Sequence, residues 1–256
     1  MKAMILAAGL GTRLRPLTND RPKALVEING RTLLELTLTR LRGFGIQSVI
    51  VNVHHFADML VDYLKAHDNF GMKLAISRED VLLDTGGGLK KAAPFFLSDL
   101  RADDEPFVVH NVDVLTTIDL GRMVEAHQEN RALATLAVQD RATSRYLLFD
   151  QSHELCGRQA GTDGALELVR PAQMLDALAF SGIHVISTRI FDKLTENGVF
   201  SIITSYLRLA AEAEKIRCFR ADEYYWRDAG RVDSLLQAAE DLKKNSALRS
   251  DRDMRD

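Results

Sequence analysis

The fold of this chain is decided by its opening stretch, Lys2-Ala-Met-Ile-Leu-Ala-Ala-Gly-Leu-Gly-Thr-Arg-Leu-Arg-Pro-Leu-Thr-Asn-Asp-Arg-Pro-Lys23. Residues 2–7 have the length and apolar character of a buried strand, which breaks into the small residues Ala8, Gly9 and Gly11. Small residues let backbone N–H groups approach a ligand closely, and oriented N–H groups form a nest for anions. Cations follow at Arg13, Arg15, Arg21 and Lys23. The stretch predicts a loop that binds a ligand with several negative charges, such as a nucleoside triphosphate.

Three other interpretations of this loop fit less well. A Rossmann dinucleotide site needs a third glycine where Leu14 stands, and an acidic residue after the second strand, where His54 and His55 stand. A P-loop needs Lys-Ser or Lys-Thr directly after its last glycine, where Thr12-Arg13 stands. The third interpretation is a plain glycine turn followed by solvated arginines, but it does not account for the length of the pattern.

Composition indicates an ordinary soluble globular protein. Of the 256 residues, 46% are apolar and 27% are charged, which is typical of such proteins and enough for one large α/β domain. We expect a single domain over residues 1–245 and a frayed tail over 246–256, where charges are mixed and apolar residues are few. The net charge of −3 argues against a nucleic-acid partner.

Other sequence features indicate the cellular compartment of the protein. No apolar run approaches the roughly 18 residues of a membrane span, and the N-terminus lacks the long apolar region of a signal peptide. Cys156 and Cys218 have no metal-type spacing, which favours free thiols in a reducing compartment. We therefore expect a cytoplasmic protein with no membrane partner. The sequence does not predict its oligomeric state.

Strand and helix patterns alternate along the chain. Predicted strands cover residues 48–53, 73–76 and 107–110, and predicted helices cover 33–41, 56–64, 86–96, 201–213 and 232–244. This alternation predicts an α/β, Rossmann-like, mostly parallel sheet flanked by helices, with ligands at the carboxyl ends of its strands. Residues 133–187 are more strand-like, and we expect them to form a smaller sheet extension or lobe over the site. The strand ends point to three segments, residues 9–23, 52–55 and 111–113.

Several residues in or near these segments are candidates for binding a metal ion or a ligand. Asp113 directly follows a predicted strand, where a carboxylate can hold a hard cation against phosphate oxygens; capping of the next helix is the alternative. Asp84-Thr85-Gly86-Gly87-Gly88 precedes a helix, and its Cβ-free surface could let a nucleobase lie against the backbone. An N-cap by Asp84 or Thr85 is compatible with that interpretation. His54 and His55 do not predict a zinc site, since adjacent strand residues point to opposite faces.

The opening stretch, with Pro22-Lys23, resembles the signature of the sugar-1-phosphate nucleotidyltransferases. Three later segments resemble further parts of that family's pattern: Leu82-Leu-Asp-Thr-Gly-Gly-Gly88, Phe180-Ser-Gly-Ile-His-Val185 and Trp226-Arg-Asp-Ala-Gly230. The resemblance covers residues 2–235, and within the family it is to the N-acetylmuramate 1-phosphate uridylyltransferase and mannose-1-phosphate guanylyltransferase-like groups. It implies a nucleotide-diphospho-sugar transferase fold, and transfer of a nucleotidyl group with release of pyrophosphate.

The resemblance also implies roles for particular residues. Arg13 and Lys23 would be catalytic, and Asp113 and Asp228 would hold Mg²⁺. UTP or GTP would be the nucleotide, and a sugar 1-phosphate the second substrate. The nucleotide would be bound by Ala8, Gly9, Gly11, Thr12, Arg13, Lys23, Thr85, Gly86, Gly87 and Asn111. The sugar side would include Ser181 and Gly182.

The chain departs from the family pattern at one place. Many relatives carry Glu-Lys-Pro, in which the lysine binds the sugar phosphate, and Val169-Arg170-Pro171 stands in roughly that place here. Arg145 and Arg170 are therefore both candidates for the phosphate ligand. Two other functions stay open, namely transfer to a non-sugar alcohol phosphate and non-catalytic sensing of a nucleotide sugar. A sensor could lose Lys23 or a metal-binding aspartate, and this chain retains them.

Overall fold

The structure, a computed structural model, describes residues 1–100 and 104–244, so the predicted tail over 246–256 lies outside the described residues. The chain divides into two compact units. The first consists of Met1–Leu82, His110–Ile118 and the described residues from Tyr224 onward, and the second of Leu83–Val109 and Asp119–Glu223. The single domain expected over residues 1–245 remains a prediction.

The strands of the described residues are as follows: β1 (Lys2–Leu6), β2 (Glu27–Ile28), β3 (Arg31–Thr32), β4 (Ser48–Val53), β5 (Lys73–Arg78), β6 (Pro106–Asn111), β7 (Val114–Thr116), β8 (Ala134–Gln139), β9 (Arg145–Phe149), β10 (Leu155–Ala160), β11 (Leu166–Leu168), β12 (Asp176–Ser187), β13 (Ile216–Arg220) and β14 (Trp226–Asp228).

The α-helices are α1 (Leu33–Gly43), α2 (Ala57–Ala66), α3 (Asp84–Lys91), α4 (Ala93–Leu97), α5 (Leu120–Glu129), α6 (Ile190–Lys193), α7 (Ile202–Ala211) and α8 (Val232–Lys244). Among the described residues, no helix has both the length and the apolar character that crossing a membrane requires.

The first unit is built on the parallel strands β1, β4 and β5. Ala3, Met4 and Ile5 of β1 are fully buried, which explains why the opening apolar run forms a central strand rather than an edge. Leu6 is the register partner of Asn52, so these two strands end at the same level. The short strands β7 and β14 pair antiparallel nearby in this unit, with Asp228 opposite Val114.

The second unit contains mainly antiparallel strands. β12 pairs with both β8 and β9, and β9 continues through β10 to β11. β13 runs parallel to β8. This unit includes residues 133–187, the part of the chain for which the sequence predicts a strand-rich lobe. The predicted α/β fold class, with parallel strands flanked by helices, is confirmed.

Local sequence explains several helix boundaries. Thr32 caps α1, because its Oγ1 accepts a hydrogen bond from the N–H of Glu35 at 3.0 Å. The helix predicted over residues 86–96 is instead two helices, α3 and α4, and Pro94 lies in the first turn of the second. Proline has no N–H to donate and clashes with the preceding turn, so it belongs at a helix start. The sequence of residues 24–28 predicts a short extended segment, which is partly wrong, because Lys23–Leu25 forms a 3-10 turn and β2 begins only at Glu27.

Candidate active site

The glycine loop follows β1 and has a shape that requires its second glycine. Gly11 has a φ of +65°, and a Cβ there would lie 3.0 Å from Cγ2 of Thr18 and 3.2 Å from Cβ of Lys23. The Thr18 hydroxyl donates to the Gly11 carbonyl at 2.8 Å. A larger residue at position 11 would therefore be strained and would push on the segment that carries Lys23.

Most backbone N–H groups of this loop have no hydrogen-bond acceptor among the residues that the structure describes. The N–H of Ala7 donates to Asn52 at 2.7 Å, and the N–H of Leu14 donates to the Gly11 carbonyl at 2.9 Å. Within the described residues, no acceptor is found for the six N–H groups from Ala8 to Arg13. Six consecutive unpaired donors in a loop at a strand's carboxyl end form a site suited to an anion.

Lys23 and Asp113 form a close, largely buried ion pair. Nζ of Lys23 lies 2.7 Å from Oδ2 of Asp113, and the two side chains are 15% and 10% exposed. Burial raises the pKa of Asp113, but the charge and hydrogen bond of Lys23 outweigh it, so the pKa falls below its usual value. Asp113 is therefore ionised at neutral pH, and Lys23 is its counter-ion.

Arg13 and Asp228 form a second, looser pair. Nη2 of Arg13 lies 3.7 Å from Oδ2 of Asp228, and both side chains are partly exposed. The N–H of Gly230 donates to the other oxygen of Asp228, Oδ1, at 2.7 Å. That bond fixes the carboxylate, whereas the exposed ion pair contributes little to its position.

The two pairs converge on Gly230. A Cβ at this position would lie 2.7 Å from Oδ2 of Asp113, 2.7 Å from Oδ1 of Asp228 and 2.9 Å from Nη2 of Arg13. Only glycine leaves room for these groups. The structure thus brings together four predicted site residues, Arg13, Lys23, Asp113 and Asp228, which the sequence spreads over more than two hundred positions.

This arrangement fits a divalent cation. The two carboxylate oxygens that flank the Gly230 position lie no more than twice 2.7 Å apart, and carboxylate oxygens are the ligands that Mg²⁺ prefers. No group of three or more His, Cys, Asp or Glu side chains able to hold a metal occurs in the described ranges. A two-carboxylate site is nevertheless the usual form where substrate phosphates complete the magnesium shell.

The glycines of α3 lie in the second unit and are closely packed there. The N–H groups of Gly86 and Gly87 donate to the Phe200 carbonyl at 2.9 and 3.3 Å. A Cβ at Gly86 would lie 2.3 Å from Cε2 of Phe200, and one at Gly87 would lie 2.4 Å from the Gly198 carbonyl oxygen. This contact gives both glycines a packing role. A role for Thr85, Gly86 and Gly87 in binding the nucleobase remains a prediction.

The predicted sugar segment forms an irregularity in β12. The pairing of β12 with β8 shifts register between Phe180 and His184, and Gly182 within this stretch has a φ of +75°. Ser181 is fully buried. Bulges of this kind re-aim side chains and occur beside active sites, so the geometry is compatible with the predicted contact with a sugar.

The two candidate phosphate-binding arginines differ in their surroundings. Nη1 of Arg170 lies 2.6 Å from Oε2 of Glu154, so this guanidinium already has a carboxylate partner. Arg145 begins β9 and is exposed, and its guanidinium has no partner in the described part of the chain. A third arginine, not predicted from the sequence, is Arg141, whose Nη2 donates to the Phe180 carbonyl at 2.9 Å.

The remaining predicted residues are placed at strand ends. Asn111 is the last residue of β6 and belongs to the first unit with Asp113. The Nδ1–H of His54 donates to the Glu79 carbonyl at 2.7 Å, and His55 packs against the ring of Phe56. Glu79, which the sequence analysis did not single out, is buried directly after β5.

Comparisons with known proteins identify the family of this chain. The family model described as nucleotidyl transferase matches residues 2–245. The chain is 34% identical to an N-acetylmuramate alpha-1-phosphate uridylyltransferase from Caulobacter vibrioides, over 92% of this chain and 94% of that protein. It is 28% identical to a mannose-1-phosphate guanyltransferase from Yarrowia lipolytica, over 92% of this chain and 62% of that one.

Solved structures are similar in fold. HddC from Yersinia pseudotuberculosis, in complex with GMP-PN, superposes with a TM-score of 0.73 at 22% identity and covers 94% of this chain and 99% of its own. At that identity the likeness concerns the fold alone. The match over residues 2–245 shows that this chain is a member of the nucleotidyl transferase family.

Proposed function

We propose that this chain catalyses the attack of a sugar 1-phosphate oxygen on the α-phosphorus of a nucleoside triphosphate. A new P–O bond joins the two substrates into a nucleoside diphosphate sugar, the bond between the α- and β-phosphates breaks, and pyrophosphate leaves with the bonding electron pair. The observation that carries this proposal is the cluster in the first unit, where unpaired loop N–H groups adjoin two cations and two carboxylates.

The loop supplies the triphosphate site. N–H groups from Ala8 to Arg13 can donate to phosphate oxygens at no cost to other hydrogen bonds, because they have no acceptor among the described residues. Arg13 extends from the end of this row, and its planar guanidinium can bind two oxygens of the departing pyrophosphate. Its weak contact with Asp228, at 3.7 Å, is easily exchanged for a phosphate.

Lys23 serves the reacting phosphates. Two like unit charges 4 Å apart repel by about 4 kcal/mol at an effective dielectric constant of about 20, so bringing the two substrates together requires cations. Lys23 is held near the glycine loop, since its Nζ lies 3.9 Å from the Cβ position of Gly9. A cation fixed in place stabilises charge that develops in the transition state without reorganisation. No nucleophilic side chain is needed, because the sugar phosphate is already ionised.

Asp113 and Asp228 are the proposed ligands of Mg²⁺. The ion would supply positive charge to the α- and β-phosphates during the reaction. Asp113 and Asp228 are each paired with a cation in the structure, so the carboxylates are neutralised before any substrate binds. If these carboxylates held the ion, Lys23 and Arg13 would be free to bind the phosphates.

The names of the relatives suggest which substrate pairs to test first. The first pair to test is UTP with N-acetylmuramate 1-phosphate, the substrates implied by the name of the Caulobacter vibrioides relative. GTP with mannose 1-phosphate is the second pair. On the sugar side, Ser181 and Gly182 would contact the ring. Of the two arginines, Arg145 is the better phosphate ligand, because Arg170 is bound to Glu154.

A pyrophosphate-release assay tests this function. The purified protein is incubated with Mg²⁺, each of the common nucleoside triphosphates and a panel of sugar 1-phosphates, with glycerol 3-phosphate as a non-sugar comparison. Pyrophosphate should appear only when a nucleoside triphosphate and a sugar 1-phosphate are both present. Release with glycerol phosphate alone among the acceptors would favour the non-sugar alternative. Binding of a nucleotide sugar without release in any mixture would favour a sensor.

A further inference from the structure

Asn52 connects the ends of three strands beneath the glycine loop. It lies at the carboxyl end of β4 and is 3% exposed. Its Oδ1 accepts the N–H of Ala7 at 2.7 Å, and its Nδ2 donates to Oε1 of Glu79 at 2.7 Å. Both hydrogen bonds are buried, so neither competes with water.

The first of these bonds is made at the start of the unpaired row of N–H groups. Ala7 is the residue at which the chain leaves β1, and the six N–H groups for which the described residues offer no acceptor begin at Ala8. A buried bond at this point fixes the direction in which the loop departs. The direction matters because N–H groups bind a polyphosphate only when they point to the same place.

The second bond determines which end of the Asn52 amide faces Ala7. Oε1 of Glu79 accepts from the NH₂ group of Asn52, and the N–H of Ala7 can only donate, so the carbonyl oxygen of Asn52 faces Ala7. The Glu79 backbone is itself fixed to the end of β4. Its N–H donates to the Val53 carbonyl at 2.7 Å, and its carbonyl bonds to Nδ1 of His54 at 2.7 Å.

We propose that Asn52 is a positioning residue for nucleotidyl transfer, which acts through the Ala7 N–H to hold the glycine loop in its triphosphate-binding shape, and that Glu79 orients its amide. This inference rests on the proposed function. Asn52 need not touch a substrate. Asparagine is suited to the position because it offers an acceptor to Ala7 and a donor to Glu79 at once.

Two substitutions that exchange amide and carboxylate groups test the proposal. Asn52→Asp retains an acceptor for Ala7 but places a second carboxylate against Glu79 in a buried site, where like charges repel. Glu79→Gln alone should have little effect, because the new side chain still offers a carbonyl oxygen to Asn52. Combining both substitutions restores both hydrogen bonds, since the amide of the new glutamine can donate to the carboxylate of the new aspartate.

Binding of inorganic tripolyphosphate, measured by calorimetry, is the main readout, since it involves neither base nor sugar. We expect Asn52→Asp to weaken binding by roughly tenfold or more, in line with the loss of a buried hydrogen bond. The double variant should regain most of that affinity. The same order should hold for the KM of the nucleoside triphosphate in the pyrophosphate assay.

Asn130→Asp is the matched control. The side-chain NH₂ group of Asn130 donates a hydrogen bond to the Ala126 carbonyl, and both residues lie in the second unit. This substitution should lower stability without changing tripolyphosphate binding. Unchanged binding in Asn52→Asp, or equal loss in Asn52→Asp and in the double variant, would overturn the proposal. If the parent binds tripolyphosphate but releases no pyrophosphate with any substrate pair, the proposed function fails while the role of Asn52 in shaping the loop is still measured.

Discussion

At the scale of single residues, the site is a set of mutually neutralising charges. Asp113 and Asp228 oppose Lys23 and Arg13, and all four lie in the first unit. The sequence predicts each of these residues by its position after a strand or its place in the family pattern. It does not predict that the lysine and the aspartate are bound to each other, because that contact depends on how β1 and β6 end within the fold.

The Lys23–Asp113 pair gives a first prediction. Lys23→Met should reduce turnover by several orders of magnitude, because the phosphates lose a fixed cation. It should also tighten binding of Mg²⁺ to the protein without nucleotide, since Asp113 loses its counter-ion at 2.7 Å. Single-turnover kinetics and metal titration by calorimetry measure the two effects.

Arg21→Met is the control for that experiment. Arg21 belongs to the same segment but pairs with the exposed Asp20, so its loss changes net charge equally without freeing Asp113. Equal metal affinities for Lys23→Met and the parent would contradict the competition between lysine and metal.

Gly230 gives a second prediction at this scale. In Gly230→Ala the new Cβ would lie 2.7 Å from carboxylate oxygens of both Asp113 and Asp228, which is closer than such contacts allow. We expect loss of most metal binding and activity with little loss of stability, since the neighbouring side chains can move apart. Circular dichroism melting, together with metal titration, separates these effects. If Gly230→Ala bound the metal as tightly as the parent, Asp113 and Asp228 would not bind one ion together.

At the scale of elements, the glycines of α3 illustrate what sequence can miss. The run Gly86-Gly87-Gly88 predicts a surface for a base, whereas the structure also packs Gly86 and Gly87 against the segment before α7. That partner lies far along the chain, and only the tertiary fold brings it close.

A double-mutant cycle tests this packing. Gly86→Ala should destabilise the protein by about 1–3 kcal/mol, because a Cβ would lie 2.3 Å from the Phe200 ring. Phe200→Ala removes that ring, so the two substitutions together should cost less than the sum of the single ones. Urea unfolding of the three variants gives the coupling energy. Strict additivity would mean that the glycine and the ring do not press on each other.

Elements with strong local patterns were predicted well. The capping residues Thr32 and Glu35 and the leucine spacing define α1, and the β-branched run of residues 48–53 matches β4. Predicted helix 232–244 coincides with α8. The sequence patterns predict neither α5 nor β10 nor β13. These elements mix apolar with polar or charged residues, as where Arg217 and Arg220 interrupt β13, and β13 is held in place by its pairing with β8.

At the scale of the whole molecule, buried histidine makes stability depend on pH. Burial lowers the pKa of His127 from 6.5 to about 4, an effect that Arg189 supports and Asp104 opposes. The unfolded chain therefore binds a proton below pH 6.5 that the folded chain does not bind until about pH 4. Stability is present in full above the unfolded pKa and falls as pH decreases through this range, by up to about 3 kcal/mol for this group.

The change His127→Gln isolates this contribution. Glutamine retains a hydrogen-bonding group for Thr135, whose hydroxyl lies 3.0 Å from Nδ1 of His127, and it does not titrate. Urea unfolding from pH 7 to pH 4 should show a shallower loss of stability than in the parent. His67→Gln, at an exposed histidine, should follow the parent. Parallel curves for the parent and His127→Gln would show that folding does not lower the pKa of His127.

The proposed reaction requires that the sugar phosphate attacks the α-phosphorus of the nucleoside triphosphate. Parallel reactions with α-labelled and γ-labelled [³²P]UTP, N-acetylmuramate 1-phosphate and Mg²⁺ test this directly, with the GTP and mannose 1-phosphate pair run alongside. We predict that the α-label appears in the nucleoside diphosphate sugar and the γ-label in pyrophosphate, and that Lys23→Met abolishes both transfers. A γ-label on the sugar, or an α-label that remains in free nucleotide while pyrophosphate is released, would contradict nucleotidyl transfer to the sugar phosphate.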